Sequence, residues 1–413
     1  MSYRLLIAAL FPLFIIYILK LSVKFKSLIY LKQRLSFACP KFNQQPIWIH
    51  CASVGEVNTF MPLLERLIDK LPQQEFLLTT NTVTGASILK KHQPRNTQHC
   101  YLPLENSTVI KRFLHTTQPK MALIMETEIW PLLYSSINKA NIPLSIINAR
   151  LSSKTINAHS WVKKQYQQAL QYVDIIFARS EQDQELFEQL AKNFNKSFTV
   201  GNLKFSQTST SPTHHLTNFT QRKYILAAST HKNEEFQLAQ CWLQINLRKT
   251  LLVIAPRHPD RSNGIIKQLS ALNINISVRS KGDAITENTD IYLADTLGEL
   301  PSFMQHAEIV FMGGSLIPHG GQNFLEAARL NKAIIVGPYM HNFQNEVDLF
   351  NQQHACIQVQ NITELGAAIQ SLLINAKARI NLGHCAKQLM DAQTGIAEVY
   401  LHKLAEHYPK IFN

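Results

Sequence analysis

Three carboxylates stand in loops after apolar runs, where a chain of alternating strands and helices turns back on itself, and one lysine lies near a linker. Glu56 closes the loop from Cys51 to Glu56, which follows the run Pro46 to His50. Glu126 and Glu128 follow the run Met121 to Met125. A carboxylate in such a loop can take a proton from an attacking hydroxyl. Glu56 can equally be a charge that complements a helix N-terminus, worth about 0.3–1 kcal/mol. One of Glu126 and Glu128 can be a plain surface or capping charge. Lys204, after Gly201-Asn202, lies near a linker and can reach the cleft with a cation, although a lone lysine carries no weight unaided.

The second half carries residues suited to a phosphate and a sugar. The stretch Gly313 to Glu326 (GGSLIPHGGQNFLE) lies between the apolar run Ile309 to Met312 and a helical segment, Asn323 to Asn331. Ala333 to Val336 then reads as a strand stopped by Gly337-Pro338. Strand, glycine loop, helix and strand form a βαβ unit, and open α/β sheets bind ligands at such carboxyl ends. Asn323 can cap the helix, whose free N–H groups favour an anion, and Glu326 can accept from sugar hydroxyls. Two more loops end buried strands: Pro256-Arg257-His258-Pro259 and Asp295-Thr296-Leu297-Gly298-Glu299-Leu300. Arg257 suits a phosphate or carboxylate. The Asp295 loop alone also fits a capping arrangement. The convergence of three loops favours a nucleotide site. The chain has no P-loop and no G-x-G-x-x-G, which weighs against ATPase and dehydrogenase chemistry.

Strands alternating with helices must position these groups. In the first half strands are expected at Pro46–His50, Phe76–Thr80, Met121–Met125, Leu144–Ile147 and Ile175–Ala178. Helices are expected over 57–71, 84–91, 130–140 and from about Ser180. A segment rich in Ser, Thr, Pro and His, Ser206 to Thr220, reads as a linker. A second alternation begins at Tyr224 and includes Leu251–Ala255 and Ile291–Leu293, with a helical tail from about Ile362. The expected architecture is two doubly wound α/β domains facing across a cleft. Residues 35–210 form the first, and 211–413 the second with its tail.

At 413 residues the chain is long enough for two domains. A net charge of +13 favours acidic partners. Dispersed Lys and Arg and the lack of a recognised motif argue against nucleic acid. Six cysteines without paired spacing read as reduced thiols in a cytosolic compartment. Residues 1–34 differ in character. Leu5 to Leu19 is apolar and uncharged, and is followed by Lys20, Lys24, Lys26, Lys32 and Arg34. That asymmetry predicts an uncleaved anchor with the bulk of the chain in the cytoplasm. A cleaved signal peptide and an interfacial helix are the competing readings.

Together these segments resemble the 3-deoxy-D-manno-octulosonic acid (Kdo) transferases of Gram-negative bacteria. The resemblance rests on Trp48–Glu56 (WIHCASVGE), Met125–Pro131 (METEIWP), Asn148–Ser152 (NARLS), Gly201–Phe205 (GNLKF), Ala255–Asp260 (APRHPD), Asp295–Leu300 (DTLGEL) and Gly313–Ala327. Asp260 departs from the glutamate more often expected there. The resemblance implies a glycosyltransferase-B fold, an inner-membrane anchor, and inverting, metal-independent transfer of Kdo from CMP-Kdo to the lipid A precursor. It implies no cofactor. It assigns the general base to Glu56 and a second essential carboxylate to Glu126, with Glu128 the lesser candidate. Lys204 would support the transition state. Contacts to CMP carry over to Pro256 and Arg257, to Gly298, Glu299 and Leu300, and to Asn323, Phe324, Leu325 and Glu326. The alternative is another membrane-associated nucleotide-sugar transferase of the same fold.

Overall fold

Two parallel sheets account for the alternation of apolar runs and helices. The structure, a computed structural model, describes residues 3–92, 94–151, 153–191, 196–206, 219–245 and 250–412. The expected linker lies almost wholly outside these residues. The chain divides into two compact units, Met1–Thr208 with Gly395–Asn413, and Ser209–Thr394.

In the first unit the strands are β1 (Ile47–His50), β2 (Phe76–Thr80), β3 (Thr97–Tyr101), β4 (Met121–Met125), β5 (Leu144–Ala149), β6 (Ile175–Ala178) and β7 (Ser197–Thr199). They run parallel in the order β3-β2-β1-β4-β5-β6-β7. Chain order reverses between β1 and β4, which makes the crevice beyond their carboxyl ends the switch point of the sheet. The central strands are buried along their whole length, as a parallel sheet covered on both faces requires. The edge strands β3 and β7 went unmarked in the sequence because both are polar and only partly buried.

The second unit repeats the design. β8 (Lys223–Thr230), β9 (Thr250–Pro256), β10 (Ile276–Val278), β11 (Ile291–Leu293), β12 (Ile309–Met312), β13 (Ala333–Val336) and β14 (Ile357–Gln358) run parallel in the order β10-β11-β9-β8-β12-β13-β14. Its switch point lies between β8 and β12.

Three helices matter most in the first unit: α1 (Tyr3–Lys24), α2 (Leu28–Arg34) and α3 (Val54–Lys70). Helix α1 is long and apolar enough to cross a membrane by length and composition. One side meets the first unit, where Ile7 and Ile18 are buried. Leu5, Leu13, Ile16, Tyr17 and Val23 are exposed. Helix α3 begins three residues earlier than expected. Ser53 caps it, accepting from the Glu56 N–H, so Glu56 belongs to the first helical turn. Phe60, Leu63, Leu64 and Leu67 are fully buried on its inner face. Each such burial contributes roughly 1.5–3 kcal/mol.

The carboxyl-terminal segment departs from expectation. The second domain was expected to run to residue 413, but the helix Ile396–His407 belongs to the first unit. Packing explains this. Tyr400 is fully buried beside Phe177, its hydroxyl donates to the Gly201 carbonyl at 3.0 Å, and Tyr408 and Ser145 share a hydrogen bond at 2.7 Å.

Candidate active site

The first unit gathers its carboxylates at the switch point. β1 and β4 are neighbours in register, so the loops leaving His50 and Met125 emerge side by side. Glu56 Oε2 accepts from the Ala52 N–H at 2.8 Å, and the Ser53 hydroxyl donates to Oε1 at 3.3 Å. With Ser53 capping in return, this is a reciprocal capping box. The capping reading of Glu56 is thus realised, and the group is perturbed as well. Burial pushes its carboxyl up to about 8, and the neighbouring charges of Glu126 and Glu128 oppose its ionisation further.

Glu126 and Glu128 have different surroundings. Glu126 is buried and adopts the left-handed region at φ +53°, uncommon for glutamate. Its N–H donates to the Ile147 carbonyl at 2.9 Å, and its carboxylate pairs with Arg150 Nε at 2.6 Å. Arg150 follows β5, the strand beside β4, so two adjacent strand ends supply the pair. Glu128 accepts from Trp130 Nε1 at 2.9 Å and from Asn81 Nδ2 at 3.3 Å. His50 Nε2 lies 3.6 Å away, too far for a hydrogen bond. Burial pushes Glu128 up, yet His50, Trp130 and Asn81 bring it below the usual carboxylate range. One carboxyl is therefore held protonated near neutrality and another ionised, the separation that marks acid–base sites.

Lys204 sits in a 3-10 turn, Leu203–Ser206, packed against α3. The turn is tied to the β5 end, where Asn148 Oδ1 accepts from the Leu203 N–H at 3.0 Å. Gly201 precedes it at φ +114°, and a Cβ there would also press on Ile396. The glycine of GNLKF thus permits both the turn and the return of the carboxyl-terminal helix.

In the second unit the expected residues split into two groups. Arg257 follows β9 with its side chain exposed, and its N–H donates to the Thr230 carbonyl. Asn323 donates to Glu326 Oε1 at 3.2 Å and accepts from the Leu325 N–H. Burial pushes Glu326 above the usual carboxylate range, against Arg329, Asn323 and Arg257. These polar groups are available to a ligand. Others are committed to the fold. Phe324 and Leu325 are fully buried, the former against Phe350, leaving only their backbone for contacts. Glu299 makes a two-pronged pair with Arg279 and accepts from the Thr296 hydroxyl. Gly298 and Leu300 bracket it, the glycine at φ +87°. Pro256 is the buried last residue of β9.

Two expectations change. The helix expected over 323–331 spans only Leu325–Arg329, so its N-terminal donors offer less than a full helix would. The opening of the glycine loop is already filled by a protein carboxylate. Fully buried Glu234 accepts from the N–H groups of His231, Gly314, Ser315 and Leu316 at 2.7–3.1 Å. Gly313 is required by close approach of backbone at Ser229 and Thr230.

Sequence reasoning missed His50, Arg150, Glu234 and a group of imidazoles. His231 lies with its ring 3.8 Å from His319 and 6.0 Å from His258, beside Arg257 and Arg261. Burial and then those neighbours push His231 down to about 4. His50 and Arg150 did carry a signal, since each directly ends an apolar strand. Glu234 and His231 did not, because their partners Gly314 and Gln322 are 80 and 91 residues away in sequence.

Known proteins bear on this arrangement. A family model described as 3-Deoxy-D-manno-octulosonic-acid transferase (kdotransferase) matches residues 30–207. The chain is 30% identical over 376 residues to a 3-deoxy-D-manno-octulosonic acid transferase of Haemophilus influenzae, covering 89% of this chain and 88% of that one. It is 30% identical over 383 residues to the Rickettsia typhi protein of the same description, covering 89% and 81%. Among solved structures, a putative UDP-N-acetylglucosamine 2-epimerase of Listeria monocytogenes aligns at TM-score 0.63 and 15% identity, covering 89% and 97%. A glycosyltransferase of Rickettsia africae aligns at TM-score 0.62 and 14% identity, covering 90% and 100%. These two likenesses show the fold: paired Rossmann-like domains of the glycosyltransferase-B type.

Proposed function

We propose a Kdo transfer for this chain, which belongs to the 3-deoxy-D-manno-octulosonic-acid (Kdo) transferase family. The chain is a glycosyltransferase acting on a nucleotide-sugar donor. The finer reading is that it moves Kdo from CMP-Kdo to the lipid A precursor, with inversion and without a metal. The first unit would hold the acceptor and the second the donor. The N-terminal helix would hold the catalytic units on the cytoplasmic face of the inner membrane, where a basic chain gains from anionic lipid.

Glu56 takes the proton of the acceptor hydroxyl. The freed oxygen attacks the anomeric carbon, and the bond from that carbon to the CMP phosphate breaks with its electron pair left on the phosphate oxygen. Arg257 and Lys204 offset the negative charge that develops. Glu126, held by Arg150, fixes the acceptor beside the base. The observation that carries this reading is the place of Glu56, at the switch point of the first sheet beside the loop of Glu126 and Glu128, with its carboxyl pushed up to about 8. A base tuned close to the working pH combines a useful ionised fraction with proton affinity.

The test is a transfer assay with CMP-Kdo and tetraacylated lipid A precursor, read by mass spectrometry. A gain of one or more Kdo masses supports the reading. No gain from folded protein in detergent moves the chain to another donor or acceptor. Protection from thermal unfolding by UDP and not by CMP would favour the alternative, a different nucleotide-sugar transferase.

A further inference from the structure

An apolar groove of about 600 Å³ runs between α1 and the carboxyl edge of the first sheet. That volume falls within the ~300–1,000 Å³ of small-molecule sites. One wall is α1, through Ile7, Leu13, Phe14 and Tyr17. The opposite wall includes Leu104 and Leu133. The α1 wall continues onto the exposed apolar side of the same helix, so the groove opens where the membrane-facing surface begins.

The other end is polar. Arg34 Nη1 donates to Asn81 Oδ1 at 3.1 Å and to the Leu102 carbonyl at 2.6 Å. Arg34 Nε is buried and has no hydrogen-bond partner among the described residues. Asn81 in turn donates to Glu128 Oε2. A single side chain therefore links the polar end of the groove to the carboxylate cluster. The features follow in order: hydrocarbon-lined channel, half-buried cation with a buried spare donor, then acid–base site. That order matches an amphiphile with an acyl chain, an anionic group and a sugar hydroxyl.

We propose that this groove seats one acyl chain of the acceptor glycolipid, with its anionic head group at Arg34, and so delivers the acceptor hydroxyl to Glu56. The inference rests on the sugar-transfer reading above and extends it. Helix α1 is then part of the substrate site as well as an attachment to the membrane.

Two arms test it on the full-length protein in detergent or vesicles. The first compares Leu13→Trp, which fills the groove, with the parent on tetraacylated acceptor and on its water-soluble deacylated form. The expected result is a KM at least about tenfold higher for the acylated acceptor, with kcat/KM on the deacylated form within about twofold of the parent. Equal losses on both acceptors, or no loss on either, would overturn the proposal. The second arm needs no turnover. Tetraacylated acceptor with brominated chains should quench the parent's fluorescence, and Trp130→Phe should remove that component, since Trp130 lines the groove. Quenching insensitive to Trp130, or equal Trp130 quenching by brominated phospholipid alone, contradicts it. If the parent transfers sugar to neither acceptor, the sugar-transfer reading fails by itself and the quenching arm decides on the groove.

Discussion

The carboxylate of Glu56 accepts from the Ala52 N–H at 2.8 Å, so the group proposed as base also closes the first turn of α3. Cap and base make opposite demands. The cap favours the ionised form, while burial and the charges of Glu126 and Glu128 disfavour it, and the balance lies at about 8.

That balance sets the pH dependence of the rate. A base must be ionised to accept a proton, so kcat/KM should rise with pH and level off above about 8. Glu56→Gln should lower kcat by at least about 100-fold, the low end for general-base catalysis. A steady-state pH profile checks both. An ascending limb centred near pH 4.5, the ordinary carboxyl value, would remove Glu56 from the role.

Stability should move the other way. The folded carboxyl titrates above its unfolded value of 4.5, so the folded state holds more protons between 4.5 and about 8. Stability therefore falls as pH rises through that window and is fully discounted above it. Glu56→Gln keeps the Ala52 hydrogen bond and never ionises. It should melt above the parent at pH 9, with the gap closing by pH 5, in a thermal-shift series. A gap that is constant with pH would show that Glu56 is not strained by its charge.

Arg150 should matter through Glu126. Removing it leaves a buried carboxylate without its cation, which costs roughly 1–3 kcal/mol. Arg150→Met should lower the denaturation midpoint and reduce kcat, whereas Arg150→Lys should recover stability better than activity, since lysine lacks the planar guanidinium. Chemical denaturation beside kinetics on the same preparations tests this.

The strand ends were legible because buried parallel strands write continuous apolar runs, and the polar residues after Ile49, Met125 and Ile147 stand out against them. Helix α3 was set late because Ser53 and Glu56 form a cap that carries no apolar periodicity. Edge strands such as β3 were hidden by their polar residues. The carboxyl-terminal helix could not be placed, since nothing near Tyr400 in sequence announces its partners Phe177 and Gly201. That Glu234 accepts from the N–H groups at the opening of the glycine loop was hidden for the same reason, since it lies on another element. For Glu56 the capping reading is realised in the structure, and the base reading is the one proposed above.

The carboxyl-terminal helix supports the turn that carries Lys204. Tyr400→Phe leaves the Gly201 carbonyl without its donor, at a cost of about 0.5–1.5 kcal/mol. We expect a lower melting temperature for the first unit and a fall in kcat with little change in donor KM. Calorimetry and initial rates with varied donor check it, and unchanged kcat would separate this helix from catalysis.

The most direct measurement incubates the full-length protein with CMP-Kdo and tetraacylated lipid A precursor, beside Glu56→Gln, and weighs the products. The parent should give a gain of Kdo mass, undiminished by EDTA, and the variant almost none. Equal transfer by both proteins would contradict Glu56 as the base, and no transfer by either would contradict the Kdo reading itself.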